Sequence, residues 1–286
     1  MKRILLQLDG DREASVFDAI TAYDAGADVV LQHGGVQPTD VRDLVYGAMF
    51  TRGPGDLQNT AVFIGGQDVA VGEAMLTEAR AAFFDPLRVS VMLDANGCNT
   101  TAAAAVVKVI STVPVRSEKV VVLAGTGPVG QRAAALLAQE GADVTLTSRT
   151  QVRADAARAA LAERFGVDVT PAAVADRESL LTVLQDARAA LCTGVTGVEL
   201  IPEDVWSVHP TLQVLADVNA VPPLGVGGAK STWDGKVLHG KKVFGAIGIG
   251  DFKMKVHRRS IQRLFETNDV ILDAEEIAAL ARELSG

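Results

Sequence analysis

The chain has 286 residues, 48% of them hydrophobic, and a net charge of −8, with a pI near 5.1 and a mean hydropathy of +0.23. That acidic balance, with no basic stripe interleaved with aromatics, argues against a nucleic-acid partner, and the length suits a sizeable core and two domains. No apolar run approaches the roughly 20 residues of a membrane span, and Asp9 interrupts the first apolar run too early for a signal-peptide core, so a soluble cytoplasmic protein is expected.

In chain order, buried apolar runs predict strands near 4–8, 28–31, 61–64 and 89–93, alternating with amphipathic helices near 15–25, 39–50 and 68–84. Ser15 with Asp18 makes a capping pair, Gly26 stands where a helix ends, and Thr39 after Pro38 is the expected N-cap of the second helix. Alternating strands and helices imply a parallel sheet. A fourth helix over 100–112 leads to Val113-Pro114-Val115-Arg116-Ser117-Glu118, a proline-containing break taken as the domain boundary.

Past the break, Val120-Val121-Val122-Leu123-Ala124 opens directly into Gly125-Thr126-Gly127-Pro128-Val129-Gly130 and then a helix over 131–140. A buried strand running into Gly-x-Gly-x-x-Gly and a helix is the arrangement of a dinucleotide site. Gly125 permits the tight turn, Gly127 lets backbone approach a pyrophosphate, and Gly130 lets helix and strand pack closely. Pro128 in the first turn forfeits no useful hydrogen bond. At the end of the next strand, 143–147, where an NAD-selective site carries a carboxylate, the chain has Thr147-Ser148-Arg149-Thr150. Hydroxyls and a guanidinium suit a 2′-phosphate, which favours NADP; the alternative is that Arg149 is a solvated helix-start residue. Further helices are expected over 154–165 and 177–185, strands near 189–192, 212–216 and 243–246, and a mainly helical tail over 261–285.

Ligands of open parallel sheets collect beyond the carboxyl ends of strands. Those positions here are Asp9-Gly10, His33-Gly34-Gly35, Gly65-Gly66 and Asp94-Ala95-Asn96-Gly97-Cys98-Asn99-Thr100-Thr101 in the first half. In the second half they are Thr193-Gly194, Asp217-Val218-Asn219 and residues 245–250. Their convergence on one cleft would bring a substrate against the nicotinamide. The Asp94 turn suits the donors and acceptors of a polar heterocycle, or else simply caps the helix that follows. Lys253, Lys255, His257, Arg258 and Arg259 form one basic cluster at an expected helix start, and Lys253 is the best candidate in it for an anionic or electron-rich substrate. The four histidines, His33, His209, His239 and His257, show no triad or metal spacing, and no metal site is expected. Cys98 and Cys192 are too few for a disulfide framework and fit a reducing compartment.

Several blocks together resemble the NADP-dependent methylene-tetrahydromethanopterin and methylene-tetrahydrofolate dehydrogenases of methylotrophic bacteria. They are Ser15-Val16-Phe17-Asp18, Thr51-Arg52-Gly53, Phe63-Ile64-Gly65-Gly66, the Asp94–Thr101 turn, the glycine loop, Ala216-Asp217-Val218-Asn219-Ala220-Val221-Pro222-Pro223-Leu224-Gly225 and Phe244–Arg258. The resemblance covers nearly the whole chain, with a shorter stretch at 113–118. It implies an α/β protein of two domains, with an N-terminal parallel α/β domain (1–114) binding the pterin and a Rossmann-type domain (115–254) binding NADP. The C-terminal segment 255–286 is expected to pack back on the first domain. By the matching motifs it implies Lys253 as the catalytic, substrate-binding lysine, with Phe17, Asp18, Asp94, Asn96 and Thr101 also at the pterin. Gly125, Thr126, Gly127, Pro128, Val129, Gly130, Ser148, Arg149, Thr193 and Asn219 are expected at NADP. A homo-oligomer, trimer or hexamer, is implied as well. The competing readings are a bifunctional methylene-tetrahydrofolate dehydrogenase/cyclohydrolase, a shikimate-type dehydrogenase, and a non-catalytic NADP-sensing module.

Overall fold

The computed structural model describes residues 1–286. The first part of the chain runs β1 (Ile4–Asp9), α1 (Val16–Asp24), β2 (Val29–His33), α2 (Pro38–Met49), β3 (Thr60–Gly65), α3 (Val69–Ala81), β4 (Ser90–Leu93) and α4 (Cys98–Ile110). Then come β5 (Lys119–Leu123), α5 (Pro128–Gln139), β6 (Asp143–Ser148), α6 (Gln151–Phe165), β7 (Thr170–Ala173), α7 (Arg177–Leu184), β8 (Ala189–Cys192), α8 (Glu203–Trp206) and β9 (Val214–Asp217). The hairpin β10 (Asp234–Leu238) and β11 (Lys241–Phe244), the long α9 (Ala246–Arg263), β12 (Ile271–Leu272) and α10 (Ala274–Ser285) complete the chain.

Contacts divide the chain into two units, Met1–Thr100 with Met254–Leu284, and Thr101–Lys253 with Ser285–Gly286. The division falls inside α4 and α9, both continuous helices, and not at the proline-containing break of residues 113–118.

Unit 1 holds a five-stranded sheet in the order β12-β4-β3-β1-β2, with every pairing parallel. Its topological switch point therefore lies between β1 and β3. β3 is buried along its whole length, as an inner parallel strand covered on both faces must be. Leu8, Val41, Ile64, Met75 and Leu93 join in one core cluster against it. At the start of α1 the Ser15 side chain accepts from the Asp18 N–H, as the sequence predicts. For α2 the cap is Gln37 rather than Thr39: Pro38 itself occupies the first turn, and Gln37 with Asp40 makes a capping box.

Unit 2 holds a seven-stranded sheet in the order β10-β11-β9-β8-β5-β6-β7, parallel except for the β10–β11 hairpin. Read from β7 to β11, this is the doubly wound order of a dinucleotide-binding domain, with β5 and β8 flanking the switch point. Two strands escape the apolar pattern. β7 contains Pro171 and β10 exposes Asp234, Lys236 and Val237, and both lie at sheet edges, where a missing donor or a polar face is tolerated. The expected helical tail contains β12, too short to carry a periodic signal. In addition, α9 begins at Ala246, so the basic cluster sits mid-helix and not at a helix start.

The glycine loop shows why its spacing matters. A Cβ built on Gly130 would lie 2.5 Å from the Gly125 Cα and 2.5 Å from the Thr193 Oγ1, while one on Gly127 would meet nothing within 4 Å. Gly130 thus seats the first turn of α5 on the loop, and Gly127 leaves open space before the helix N-terminus. Gly130→Val is expected to lower unfolding stability by about 1–3 kcal/mol, as overpacking does. Denaturant titration checks this.

Candidate functional site

In unit 2 the turn after β5 is pinned to β6 twice: the Gly125 N–H donates to the Thr147 carbonyl (2.9 Å) and the Ala124 N–H to the Thr147 Oγ1 (3.0 Å). These bonds hold Ala124 at φ 52°, a left-handed conformation unusual for a residue with a Cβ. The Gln131 amide braces the loop from the helix side by donating to the Thr126 carbonyl at 2.8 Å. Gly127 is the N-cap of α5 and Pro128 opens its first turn. Unpaired N–H groups and the helix dipole therefore face the space that Gly127 leaves open, an arrangement that accepts a phosphate anion.

That space continues into a cavity of about 540 Å³ lined by Thr126, Gly127, Ser148, Arg149, Arg153 and Thr193, together with the apolar side chains of Val174 and Leu180. Its size and mixed lining are those of a small-molecule site. Of the residues expected at the cofactor, Gly125 and Gly130 pack against each other behind the loop. Asn219 ties two loops together by donating from its amide to the Val195 carbonyl at 3.0 Å, and Pro128 and Val129 form the helix start.

Sequence reading missed two guanidiniums. Arg153, one turn into α6, and Arg177, at the start of α7, both border the same cavity. Their spacing along α6 and α7 carried no motif, although Arg153 lies four residues from Arg149. Arg177 forks onto Asp204 at 2.8 and 3.3 Å and holds that carboxyl below its usual range. The carboxylates bordering the cavity are Asp176 and Glu199. Asp176 accepts from the Ser179 N–H and hydroxyl, which keeps its pKa low. Arg149 and Arg153 form no ion pair, so they leave positive charge for an anionic ligand.

Behind this site, burial pushes the Cys192 thiol well up, with Asp217 beside it adding to the shift. A thiol in that state packs and does not react. Asp217 is itself raised by burial, against the pull of the Asn219, Val226 and Gly225 N–H groups.

Unit 1 concentrates carboxylates at its β1/β3 switch point. Asp9, at the end of β1, is fully buried and accepts from the N–H groups of Asp11 and Ser15, both at 2.9 Å. A Cβ on Gly65 would lie 3.4 Å from the Asp9 Oδ2 and 3.6 Å from the Asp18 Oδ2, so glycine there makes room for two acids. Phe17, 50% exposed, borders them.

Asp94 follows β4 directly. Its side chain is completely buried, with Oδ1 accepting from the Asn99 and Thr100 N–H groups and Oδ2 from the Thr100 hydroxyl at 2.6 Å. These bonds cap α4, so Asp94 lies beneath the turn. Asn96 is the exposed member, held at φ 55°. The turn is anchored further by Asn99, whose amide donates to the Leu93 carbonyl and to Asp273.

His257, grouped by sequence with the basic cluster, is buried among these groups. Its Nε2 lies 4.0 Å from the Asp18 Oδ1 and its Nδ1 3.7 Å from the Asp94 Oδ2. Its position four residues after Lys253, on the same face of a helix, was the signal available. Lys253 is partly buried on α9, whereas Arg259 and Arg263 are spent on Glu266.

No helix is long and apolar enough to cross a membrane. A family model described as methylene-tetrahydromethanopterin dehydrogenase, N-terminal, matches residues 16–96. The chain is 46% identical over 286 residues to the bifunctional protein MdtA of Methylorubrum extorquens, a match spanning 99% of each. It is 31% identical over 295 residues to the NAD(P)-dependent methylenetetrahydromethanopterin dehydrogenase of the same organism, spanning 100% of this chain and 99% of that one. A solved shikimate 5-dehydrogenase from Mycobacterium fortuitum aligns over 98% of both chains, with a TM-score of 0.50 and 15% identity, a likeness of fold. With a dinucleotide cradle in one unit, an acid-rich switch point in the other and relatives matching along the full length, the chain belongs to the methylene-tetrahydromethanopterin dehydrogenase family.

Proposed function

We propose that this protein removes a hydride from the methylene carbon of methylene-tetrahydromethanopterin, or of its tetrahydrofolate counterpart, and delivers it to NADP⁺, giving the methenyl form and NADPH. The supporting observation is the open space that Gly127 leaves at the N-terminus of α5, opening into a cavity bordered by Ser148 and Arg149. Backbone N–H groups there receive the pyrophosphate, and Ser148 with Arg149 receives the 2′-phosphate. Thr126, Gly127 and Thr193 wall the same cavity.

When bound, NADP⁺ supplies the electron-pair acceptor. As the carbon loses its hydride, the two adjacent pterin nitrogens share the positive charge, so no protein base is required. The chain's task is to hold the reacting carbon in line and keep water out. Phe17, Asp18, Asn96 and Thr101 contact the pterin, Asp94 stiffens the turn that presents Asn96, and Lys253 anchors or polarises the substrate. The expected domains, 1–114 for the pterin and 115–254 for NADP, are retained in this reading. So are a cytoplasmic location, which the two buried free thiols suit, and a homo-oligomer, for which the exposed apolar side chains Val16, Ile20, Tyr23 and Leu31 offer a surface.

Steady-state assays of both methylene pterins with NADP⁺ and NAD⁺ test the reaction. NADPH and the methenyl chromophore are expected to rise together, and absence of turnover with either pterin would overturn it. Lys253→Ala is expected to lower kcat/KM on the order of a hundredfold while leaving NADP⁺ affinity near that of the parent protein. Arg149→Ala is expected to weaken NADP⁺ binding by about ten- to a hundredfold and NAD⁺ binding far less, as read by calorimetry. Equal losses would remove the 2′-phosphate role.

A further inference from the structure

We infer that His257 is a positioning residue of the pterin site, a buried clamp that fixes Asp18 and Phe17 and so sets the orientation of the reacting carbon; the inference rests on the pterin reading above. The imidazole is wholly buried. It stacks on Phe63, centroids 5.6 Å apart at 18°, and meets Phe17 edge-on at 6.2 Å and 60°. Its two nitrogens face carboxylates on different segments, Asp18 in the first turn of α1 and Asp94 after β4, at 4.0 and 3.7 Å. Of these neighbours, Asp94 is immobile, held by three hydrogen bonds to Asn99 and Thr100. Phe17 and Asp18 are the ones that reach the surface, Phe17 half exposed and the Asp18 side chain 16% exposed.

The geometry therefore runs from a fixed acid, through the imidazole, to the two expected pterin contacts. A phenylalanine would fill the gap between Phe17 and Phe63 without desolvating a polar ring. What the imidazole adds is one polar edge toward each acid, Nε2 toward Asp18 and Nδ1 toward Asp94. On α9 it stands one helical turn after Lys253.

The test compares His257→Phe, which keeps the ring and loses the polar edges, with His257→Gln, which keeps polarity and loses the ring, in the full-length protein. Thermal unfolding, NADP⁺ affinity by calorimetry, and KM and kcat for methylene-tetrahydromethanopterin are measured for each. His257→Phe is expected to melt near the parent protein and bind NADP⁺ equally well, yet to lose about ten- to a hundredfold in kcat/KM, the scale of a small misplacement of reacting atoms. His257→Gln is expected to recover part of that loss. If the phenylalanine variant does not fold, His257→Met, an apolar side chain that adapts to irregular cores, takes its place with the same outcomes. Parent kinetics in the apolar variant would overturn the inference, as would equal losses in both variants that track melting temperature and NADP⁺ affinity. Absence of turnover in the parent protein strikes the pterin reading itself, and this inference with it.

Discussion

Everything in unit 2 depends on how closely α5 approaches the turn that precedes it. A single side-chain carbon at Gly130 would overlap the Gly125 backbone and the Thr193 hydroxyl, so the absence of that carbon sets where the helix starts. Once the start is set, its unpaired N–H groups point at the gap before Gly127, and an anion there is stabilised by dipoles that need no reorganisation on binding. Thr147 performs the matching task from the neighbouring strand, holding the turn through its carbonyl and its hydroxyl. The strand that supplies these bonds also delivers Ser148 and Arg149 to the cavity, so the contacts that shape the cradle and the groups that border the cavity share one register.

Unit 1 solves a different electrostatic problem. Asp9, Asp18 and Asp94 gather around one end of a parallel sheet, two of them fully buried, where unpaired carboxylates would be costly. Each buried acid is satisfied locally: Asp9 by the N–H groups of Asp11 and Ser15, Asp94 by Asn99 and Thr100. The turns that satisfy them are the ones that carry Phe17 and Asn96 to the surface. Structural acids thus support an exposed layer, and an acid's rank in a motif says little about which layer it occupies.

Residues whose role is set by local backbone demands were legible in the sequence. Gly125, Gly127, Gly130, Ser15 and Pro128 each answer a steric or hydrogen-bonding requirement that lies within a few residues of them, and β8 was bounded correctly because its apolar run is short and clean. What escaped depends on distant segments. Asp94 could be a ligand contact or a cap from sequence alone, and its capping bonds to Asn99 and Thr100 show only in the folded turn. His257 looked like part of a basic surface because the acids beside it, Asp18 and Asp94, come from the other segment of the unit, residues 1–100. β7 and β10 were invisible because strands at an edge need neither an apolar face nor a full set of donors.

The fifth strand of unit 1 comes from residues 271–272, after residues 101–253 of unit 2 have been made. Until then the free side of β4 has no neighbour in the sheet, and Asn99 lacks the Asp273 acceptor that later secures the turn. A ribosome-bound chain therefore carries an incomplete first unit with an open sheet margin until residues 271–272 emerge, a margin prone to wrong pairing. Arrival of residues 271–273, more than completion of the first hundred residues, is the moment at which the acid-rich end of that sheet acquires its finished framework.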